Sequence, residues 1–343
     1  MFDVALPIFQ APMAGGPDTP ALAAAVSNAG GLGSLGCAYL TAAQIDEAAR
    51  EVAARTTRPF ALNLFVRSDA DADPAADARV RPVLDRFRAE LGLPPLGETP
   101  GQAPSFDAQL EAVIRCAPRV VSFTFGAPAP AHVAALHARG IAVMGTATTV
   151  EEARVLDDLG VDAICAQGAE AGGHRGTFLG SFEDALVGTL PLVPQILAVT
   201  HRPVVAAGGI MTGAAIRAVL DLGASAAQLG TAFLCCDEAG TGPAYRDALR
   251  TATATTVTRA FSGRPARGIR NRMTDAFVEL AAAPFPQQQR LTAELRREAT
   301  AQGRADLMQL CAGQGAPLVR SMPAAQLVAL LADEAGLVLP SPS

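Results

Sequence analysis

The sequence predicts an α/β protein built as a (β/α)8 TIM barrel. Short apolar segments rich in β-forming residues recur eight times, mostly in the first two-thirds of the 343 residues. Each is followed by a Gly-containing loop and an Ala-rich amphipathic segment, which is the order of consecutive βα units. The apolar segments are continuous rather than alternating, as in parallel strands buried on both faces.

The strands and the helices between them have legible boundaries. Strands are expected at residues 7–13, 31–36, 60–65, 120–125, 142–147, 163–168, 204–209 and 226–231. Thr41 with Gln44 and Thr149 with Glu152 have the spacing of a helix capping box, in which each side chain bonds a backbone N–H. Other helices are expected to end at Gly140, Gly160 and Gly223. An open doubly wound sheet is the alternative, but its first strand would lead into a G-x-G-x-x-G turn, which APMAGG does not match.

Two segments exceed the needs of a barrel. Residues 67–105 form an insertion after the third strand, which we expect to face solvent around a short helix near Val80 to Leu91. Residues 240–315 contain SGRPARGIRNRM and the helical stretches NRMTDAFVELAAA and PQQQRLTAELRREA. We therefore expect a barrel over 1–239, a mostly helical lid subdomain over 240–315, and a C-terminal helix within 316–343 that packs back on the barrel.

The composition removes several classes of function. The chain is 50% hydrophobic and 17% charged, and 27 basic against 33 acidic side chains give a net charge of -6. An acidic chain without a basic run has no nucleic-acid footprint. Every basic residue is Arg, and the absence of Lys excludes a Walker A loop, a pyridoxal Schiff base and a Lys-dependent aldolase, since each needs a side-chain amine.

Cysteine spacing and the apolar runs indicate a soluble protein. The six Cys have no C-x-x-C spacing, so we expect neither a disulfide framework nor a metal site. The N-terminus has no basic region before an apolar stretch, and Pro interrupts the later apolar runs before they reach spanning length. We expect a cytoplasmic protein without a membrane or nucleic-acid partner.

Two loops at the predicted carboxyl ends of the strands, where barrel active sites lie, carry glycines suited to an anion. Gly209 follows the seventh strand, and Gly230 with Thr231 follows the eighth. A bare backbone lets an anion approach N–H groups closely, and the hydroxyl adds a donor. Either loop alone could be an ordinary turn, but the two together predict a phosphate site.

The loop after the sixth strand, QGAEAGGHRGTF, places His174 among glycines. Its ordinary pKa lies near working pH, so the side chain could serve as general base or as a positioned cation. A loop His bonded to a carbonyl is the alternative, and the position favours function. The neighbouring Glu170 is expected to be a surface charge rather than a catalytic group.

Three amide side chains lie at or near the ends of predicted strands: Asn63, Gln167 and Gln228. Amides at a barrel mouth can pair with the donor and acceptor edge of a heteroaromatic ring, although each could also be a polar group satisfied within the core. Combined with a phosphate site, they predict a flat cofactor with a phosphate tail, which FMN fits more readily than a nucleotide sugar does.

These segments together resemble the class I nitronate monooxygenases, once called 2-nitropropane dioxygenases, over nearly the whole chain. The matching motifs are PIFQAPMAGG, GGLGSLGCAYLT, FALNLF, QGAEAGGHRG, AAGGIMTG, QLGTAFL and SGRPARGIRNRM. The resemblance implies an FMN-containing barrel that oxidises alkyl nitronates with dioxygen to a carbonyl compound and nitrite. It implies His174 as catalytic base or substrate-positioning group, and flavin contacts from Met13, Asn63, Gln167, Gly172, Gly209, Gln228, Leu229, Gly230 and Thr231.

The sequence departs from that family in two places. Similar members often have a His in the fourth-strand motif, where this chain has Thr124, and often line the substrate pocket with Tyr, whereas this chain has only Tyr39 and Tyr245. APMAGG and EAGGH also occur in flavin-dependent enoyl and quinone reductases. An NAD(P)H-dependent FMN reductase on the same barrel is therefore the alternative, and a cofactor-free phosphate-binding barrel is a third hypothesis.

Overall fold

A computed structural model describes residues 1–66, 73–97 and 104–338. Eight parallel strands form one sheet in the spatial order β1-β9-β8-β6-β5-β4-β3-β2. The strands, numbered along the chain, are β1 Ile8–Gln10, β2 Gly33–Gly36, β3 Phe60–Phe65, β4 Val120–Thr124, β5 Ala142–Ala147, β6 Ala163–Gln167, β7 Gly173–His174, β8 Val204–Ala207, β9 Ala226–Leu229, β10 Thr255–Thr258 and β11 Ala266–Ile269. The eight barrel strands coincide with the eight predicted segments, and the predicted barrel is confirmed.

The sheet closes between β1 and the segment that enters β2. Phe9 and Leu32 form a parallel bridge, in which Leu32 N donates to Ile8 O at 3.0 Å and Gln10 N donates to Leu32 O at 2.9 Å. Closure pairs the two edges that an open sheet would leave exposed.

Helices cover the outside of the barrel. They are α1 Pro20–Asn28, α2 Ala42–Ala53, α3 Pro74–Glu90, α4 Phe106–Cys116, α5 Pro130–His137, α6 Val150–Leu159, α7 Thr189–Leu197, α8 Gly213–Asp221, α9 Pro243–Thr251, α10 Arg272–Asp275, α11 Gln287–Leu291, α12 Ala293–Ala301 and α13 Ala324–Glu334, with 3-10 turns at Thr231–Phe233 and Ala316–Leu318. Helix α13 packs between α1 and α8. No helix in the described ranges has the length and apolarity needed to cross a bilayer.

The capping box predicted for α2 is confirmed, whereas at α6 only the bond from Thr149 is present. At α2, Thr41 Oγ1 accepts from Gln44 N at 3.3 Å and Gln44 Oε1 accepts from Thr41 N at 2.9 Å, a complete capping box. At α6, Thr149 Oγ1 accepts from Glu152 N at 3.2 Å, but the buried Glu152 carboxylate does not return to Thr149. It accepts instead from the backbone N–H and hydroxyl of Thr148 and from two N–H groups of the loop after β7, because these donors surround it.

Side chains alternate along the barrel strands between an outer and an inner layer. The outer side chains join the helices in the largest hydrophobic cluster, which includes Leu62, Ile164 and Leu229. The inner ones fill the lower barrel with a second cluster, which includes Phe9 and Val205. The inward-facing residues nearer the carboxyl ends of the strands are mostly polar, so the interior of the barrel becomes a polar-lined space at that end.

Residues 67–72 and 98–103 of the predicted insertion lie outside the described residues. The part between them, 73–97, is not solvent-facing decoration, and for that part the prediction is wrong. Helix α3 is longer than predicted and presents Val80, Leu84 and Phe87 to a hydrophobic cluster built largely from residues 234–316. Arg88, only 2% exposed, donates to Glu294 Oε2 at 2.7 Å. The insertion therefore supports the segment that follows the barrel.

The segment after β9 contains strands as well as helices. Helices α11 and α12 form within PQQQRLTAELRREA as predicted, but NRMTDAFVELAAA keeps only the single turn of α10. Helix α9 was not predicted. Between α9 and α10, β10 pairs antiparallel with β11, and β11 pairs antiparallel with β7. This small sheet was not predicted, and it attaches the Arg-rich SGRPARGIRN segment to the loop that carries His174.

Candidate active site

A cavity of about 290 Å³ occupies the carboxyl ends of the barrel strands. Inward-facing strand residues form its floor, and the loops after β1, β6, β8 and β9 form its walls together with α12 and residues 308–315. All but one of the predicted site residues line it, namely Met13, Asn63, Gln167, Gly172, His174, Gly209, Gln228, Gly230 and Thr231. Asn63, Gln167 and Gln228 thus lie at one end of the barrel, as predicted.

Leu229 is the exception. It is 1% exposed and packs in the outer hydrophobic cluster, while its neighbour Gln228 faces the cavity. Strand alternation forces this result, because adjacent side chains point to opposite faces. The Leu229 carbonyl accepts from Ala11 N at 2.8 Å, so its side chain and its carbonyl are both engaged within the protein.

The three amides have different partners. Asn63 Nδ2 donates to Ser122 Oγ at 2.9 Å and lies 3.3 Å from Thr124 Oγ1. Gln228 Nε2 donates to Cys165 Sγ at 3.4 Å. Gln167 is used at both ends, because its Nε2 donates to His174 O at 3.0 Å and its Oε1 accepts from Gly176 N at 2.8 Å. Gln167 therefore fixes the backbone on both sides of Arg175, whereas Asn63 keeps an oxygen without a protein donor in the described ranges.

The glycine loops form a wall of unpaired backbone donors. In the part of the chain that the structure describes, the N–H groups of Gly209, Gly230 and Thr231 donate to no acceptor. Gly209 has φ +71°, a left-handed conformation that favours glycine. Thr231 Oγ1 accepts from Gly313 N at 2.9 Å and retains its proton for a ligand. Converging N–H groups of this kind make an anion-binding concavity.

The described residues place His174 in a partly aromatic setting at the edge of the small sheet. Its ring lies 5.5 Å from the Phe125 ring and 6.1 Å from the Phe65 ring, centroid to centroid, both edge-on. Nε2 lies 2.7 Å from Ser262 Oγ, and that oxygen also accepts from Arg264 N at 3.2 Å. Nδ1 has no partner among the described residues. Pairing of β7 with β11 and the bond to Ser262 hold the imidazole in place.

Burial, together with the positive charges of Arg264 and Arg296, lowers the pKa of His174 to about 3. The imidazole is therefore neutral at ordinary pH. A neutral ring can accept or donate a hydrogen bond and can accept a proton, but it is a weak base and not a standing cation. Of the two roles expected from the sequence, the cationic one is inconsistent with this environment.

Arg175, next to His174 in the sequence, and the arginines of the SGRPARGIRN segment do not line the cavity. Arg175 and Arg267 donate to main-chain carbonyls of the β6 loop, and Arg264 stacks on Phe125 outside the cavity. Arg296 on α12 lines the cavity instead, held by Gln309 Oε1 and Gln289 O, each at 3.0 Å. Burial lowers the pKa of Arg296, yet guanidinium remains charged.

Several further cavity residues were not predicted as site residues. Thr300 lies one turn beyond Arg296 on α12, so the i, i+4 spacing places the two on one helix face, but it does not show that this face meets the cavity. Tyr39 and Tyr245, the two tyrosines of the chain, both line the cavity, as does Thr124. Tyr245 OH donates to Cys311 O at 2.6 Å, which fixes its ring.

Two carboxylates hold the walls of the cavity. Asp18 Oδ2 accepts from Met13 N at 2.7 Å and from Gly36 N at 2.6 Å, and burial raises its pKa to about 6. Glu170 accepts from the Thr189 N–H and hydroxyl, each at about 2.9 Å, at the start of α7. Glu170 was expected to be a surface charge, and that is wrong, because the carboxylate satisfies the N-terminus of a helix.

The cavity offers no thiolate, and the described residues hold no metal cluster. No group of three His, Cys, Asp or Glu side chains in those ranges is placed to hold an ion. Cys165 lines the cavity, but burial raises its pKa to about 12, so the thiol stays protonated. The chemistry available from the side chains is therefore hydrogen bonding, one cation and a neutral imidazole.

Comparison with known proteins agrees with this arrangement. The family model described as nitronate monooxygenase matches residues 1–334. A nitronate monooxygenase of Pseudomonas aeruginosa is 46% identical over 340 residues, covering 96% of this chain and 95% of that protein. The crystal structure of nitroalkane oxidase from Streptomyces ansochromogenes has a TM-score of 0.92 and 43% identity, covering 97% of this chain and 96% of that one.

A more distant likeness is to FabK from Thermotoga maritima, with a TM-score of 0.75 and 28% identity over 98% of this chain and 94% of that one. The family model and the curated relatives both extend over nearly the full length, and the same segments build the barrel mouth. The chain therefore belongs to the nitronate monooxygenase family.

Proposed function

We propose that this protein is an FMN-dependent enzyme that oxidises alkyl nitronates with dioxygen to a carbonyl compound and nitrite. The observation that carries the proposal is that a charged Arg296, a neutral His174 and a set of unpaired backbone donors line one cavity. Nitronate monooxygenases are in general flavin-dependent, and the residues of this cavity fit a flavin mononucleotide.

The fit to FMN follows from the two ends of the cavity. The N–H groups of Gly209, Gly230 and Thr231 would hold the phosphate, and no Lys is needed because backbone donors and a hydroxyl replace it. The floor provides a flat surface of mixed character for the ring, with Asn63, Gln228 and the apolar Met144 among its members. FMN supplies the electron transfer between the substrate and dioxygen.

The polar groups at the other end favour an anion as substrate. Arg296 can donate to a nitronate oxygen from the N–H groups that Thr292, Gln309 and Gln289 leave unused. A neutral His174 adds a hydrogen bond from Nδ1–H in the tautomer whose Nε2 accepts from the Ser262 hydroxyl. Abstraction of a carbon-bound proton by a base of pKa about 3 is unfavourable. We therefore assign the pre-formed nitronate, rather than the neutral nitroalkane, as the preferred substrate.

Identification of the released cofactor tests the FMN part of this proposal. The purified protein is denatured, and the supernatant is separated by chromatography against FMN and FAD standards. FMN in about equimolar amount supports the proposal. Recovery of FAD contradicts the assignment of FMN, and a colourless protein that FMN cannot reconstitute contradicts it and returns the chain to the cofactor-free hypothesis.

A further inference from the structure

A second cavity, of about 340 Å³, lies beside the loop that carries His174 and shares no lining residue with the first. Three of its lining residues are Arg175, Arg259 and Arg264, and none is acidic. Within the described ranges none of the three arginines forms an ion pair, because their recorded hydrogen bonds run to main-chain carbonyls. Glu152 and Glu170 attract the charge of Arg175, and Glu152 that of Arg264, only from beyond ion-pair distance, and no acidic side chain among the described residues lines this cavity.

Two of the three guanidinium groups, those of Arg259 and Arg264, lie over aromatic rings. The Arg264 Cζ lies 3.9 Å from the Phe125 ring centroid and 5.9 Å from that of Phe285, and the Arg259 Cζ lies 4.9 Å from that of Phe182. Stacking uses the faces of a guanidinium and leaves its edge donors available. Arg264 uses one donor toward Thr177 O and Arg259 one toward Gly263 O, which leaves most of their ten N–H groups unused.

Arg175 is the buried member of the set. It is 1% exposed; its two Nη atoms donate to carbonyls, and its Nε–H has no acceptor in the described ranges. An unsatisfied buried donor is destabilising, because the group has lost its hydrogen bonds to water. The buried carboxylate of Glu152 does not form an ion pair with it, because that carboxylate accepts from Thr148 and the loop after β7. Arg175 thus places a buried guanidinium, balanced only from a distance by Glu152 and Glu170, at the wall of this cavity.

We propose that this second cavity binds a small organic oxyanion, a carboxylate or a phosphate monoester. Arg259 and Arg264 bind the anionic group through their free edges, and the rings of Phe182 and Phe285 contact the apolar part of the ligand. The volume exceeds what one inorganic oxyanion fills, which favours an organic ligand. The site is separate from the proposed catalytic cavity, and the proposal does not depend on FMN or on nitronate oxidation.

Calorimetric titration of the holoprotein tests this proposal with four probes: phenyl phosphate, benzoate, inorganic phosphate and phenol. We expect one-to-one binding of phenyl phosphate, benzoate or both, with phenol showing none because it lacks the charge. The contrast between the two aromatic anions identifies the preferred head group. Arg259→Gln, at an exposed position, and Arg264→Gln should each weaken this binding at least roughly tenfold, the loss of one charge-assisted hydrogen bond.

Two matched variants locate the ligand. Arg217→Gln removes an exposed, ion-paired arginine of α8, and it should leave the affinity unchanged. Arg296→Gln alters only the first cavity, so it should also leave the affinity unchanged. The proposal is overturned if neither aromatic anion binds, if phenol binds as well as they do, if Arg259→Gln binds like the unmodified protein, or if Arg296→Gln abolishes binding.

Discussion

Replacement of His174 tests the neutral, hydrogen-bonding role that the cavity gives this residue. His174→Ala removes the Nδ1 contact offered to the substrate but leaves the backbone carbonyl that Gln167 binds, so flavin content and fold should be retained. Loss of one hydrogen bond to a charged group is worth about 1.5–3 kcal/mol. We therefore expect kcat/KM for a pre-formed nitronate to fall by roughly 10- to 150-fold.

The pH dependence makes the same test sharper. The folded-state pKa of His174 is about 3, below the ordinary 6.5, so the ring stays neutral and kcat/KM for the nitronate should show no break near pH 6.5. The free energy of unfolding that His174 contributes is fully present above pH 6.5 and is lost as the pH falls toward 3. Relative to His174→Ala, the loss is at most about 1.4 kcal/mol per pH unit.

Steady-state kinetics on ethylnitronate between pH 5.5 and 8.5, with urea unfolding at the same pH values, measures both effects. His201→Ala is the control, because His201 is an exposed turn residue outside the cavity, and it should leave both unchanged. A kinetic break near pH 6.5 that disappears in His174→Ala would refute the lowered pKa. Unchanged kinetics in His174→Ala would remove the residue from the active site.

Three further substitutions separate the functions of the cavity. Gly230→Val should lower FMN occupancy at least roughly tenfold. The variant should still fold, because a Cβ at this position contacts Ala11 and Met13 only at ordinary distances, and Gly97→Val, in open space, is its control. Normal flavin absorbance in Gly230→Val would contradict the phosphate assignment. Arg296→Gln should lower kcat/KM for the nitronate by roughly 10- to 150-fold at unchanged flavin content, whereas the exposed Arg297→Gln should not, and equal rates would exclude the anion-binding role. The free energy of unfolding of Asp18→Asn should rise relative to that of the unmodified protein as the pH rises from 4 through 6, by at most about 3 kcal/mol. The reason is that burial in the folded state raises the pKa of Asp18 to about 6. A pH-independent difference in urea unfolding would contradict that shift.

The barrel could be predicted because its signals are local. Continuous apolar runs, the Thr41 cap and the glycine of the β8 loop depend on neighbouring residues, and the structure has them where the sequence indicates. The outward direction of Leu229 was available from the same alternation that turns Gln228 inward. The strand β10 also had a signal, the β-branched run TTVT, although Ala and Thr around it obscured the boundary.

The remaining errors involve partners that are distant in sequence. Helix α3 packs on a segment that is distant in sequence. Its Arg88 binds Glu294, about two hundred residues further along the chain, and no local sequence pattern indicates that contact. Arg296 and Arg297 are adjacent in the sequence, and only the packing of α12 against the barrel shows that Arg296 lines the cavity. Glu152 had a regular capping position, but the loop after β7 supplies it with stronger donors.

The central claim, an FMN enzyme that takes electrons from a nitronate, is tested most directly by anaerobic bleaching of the bound flavin. The purified protein is mixed without oxygen with ethylnitronate, with propionate 3-nitronate, and separately with NADH and NADPH, and flavin absorbance is followed by stopped flow. We expect at least one of the two nitronates to bleach the oxidised flavin within the turnover time. NADH and NADPH should leave the flavin absorbance unchanged. Rapid bleaching by NADH or NADPH with no response to either nitronate would contradict the account and identify a nicotinamide-dependent reductase.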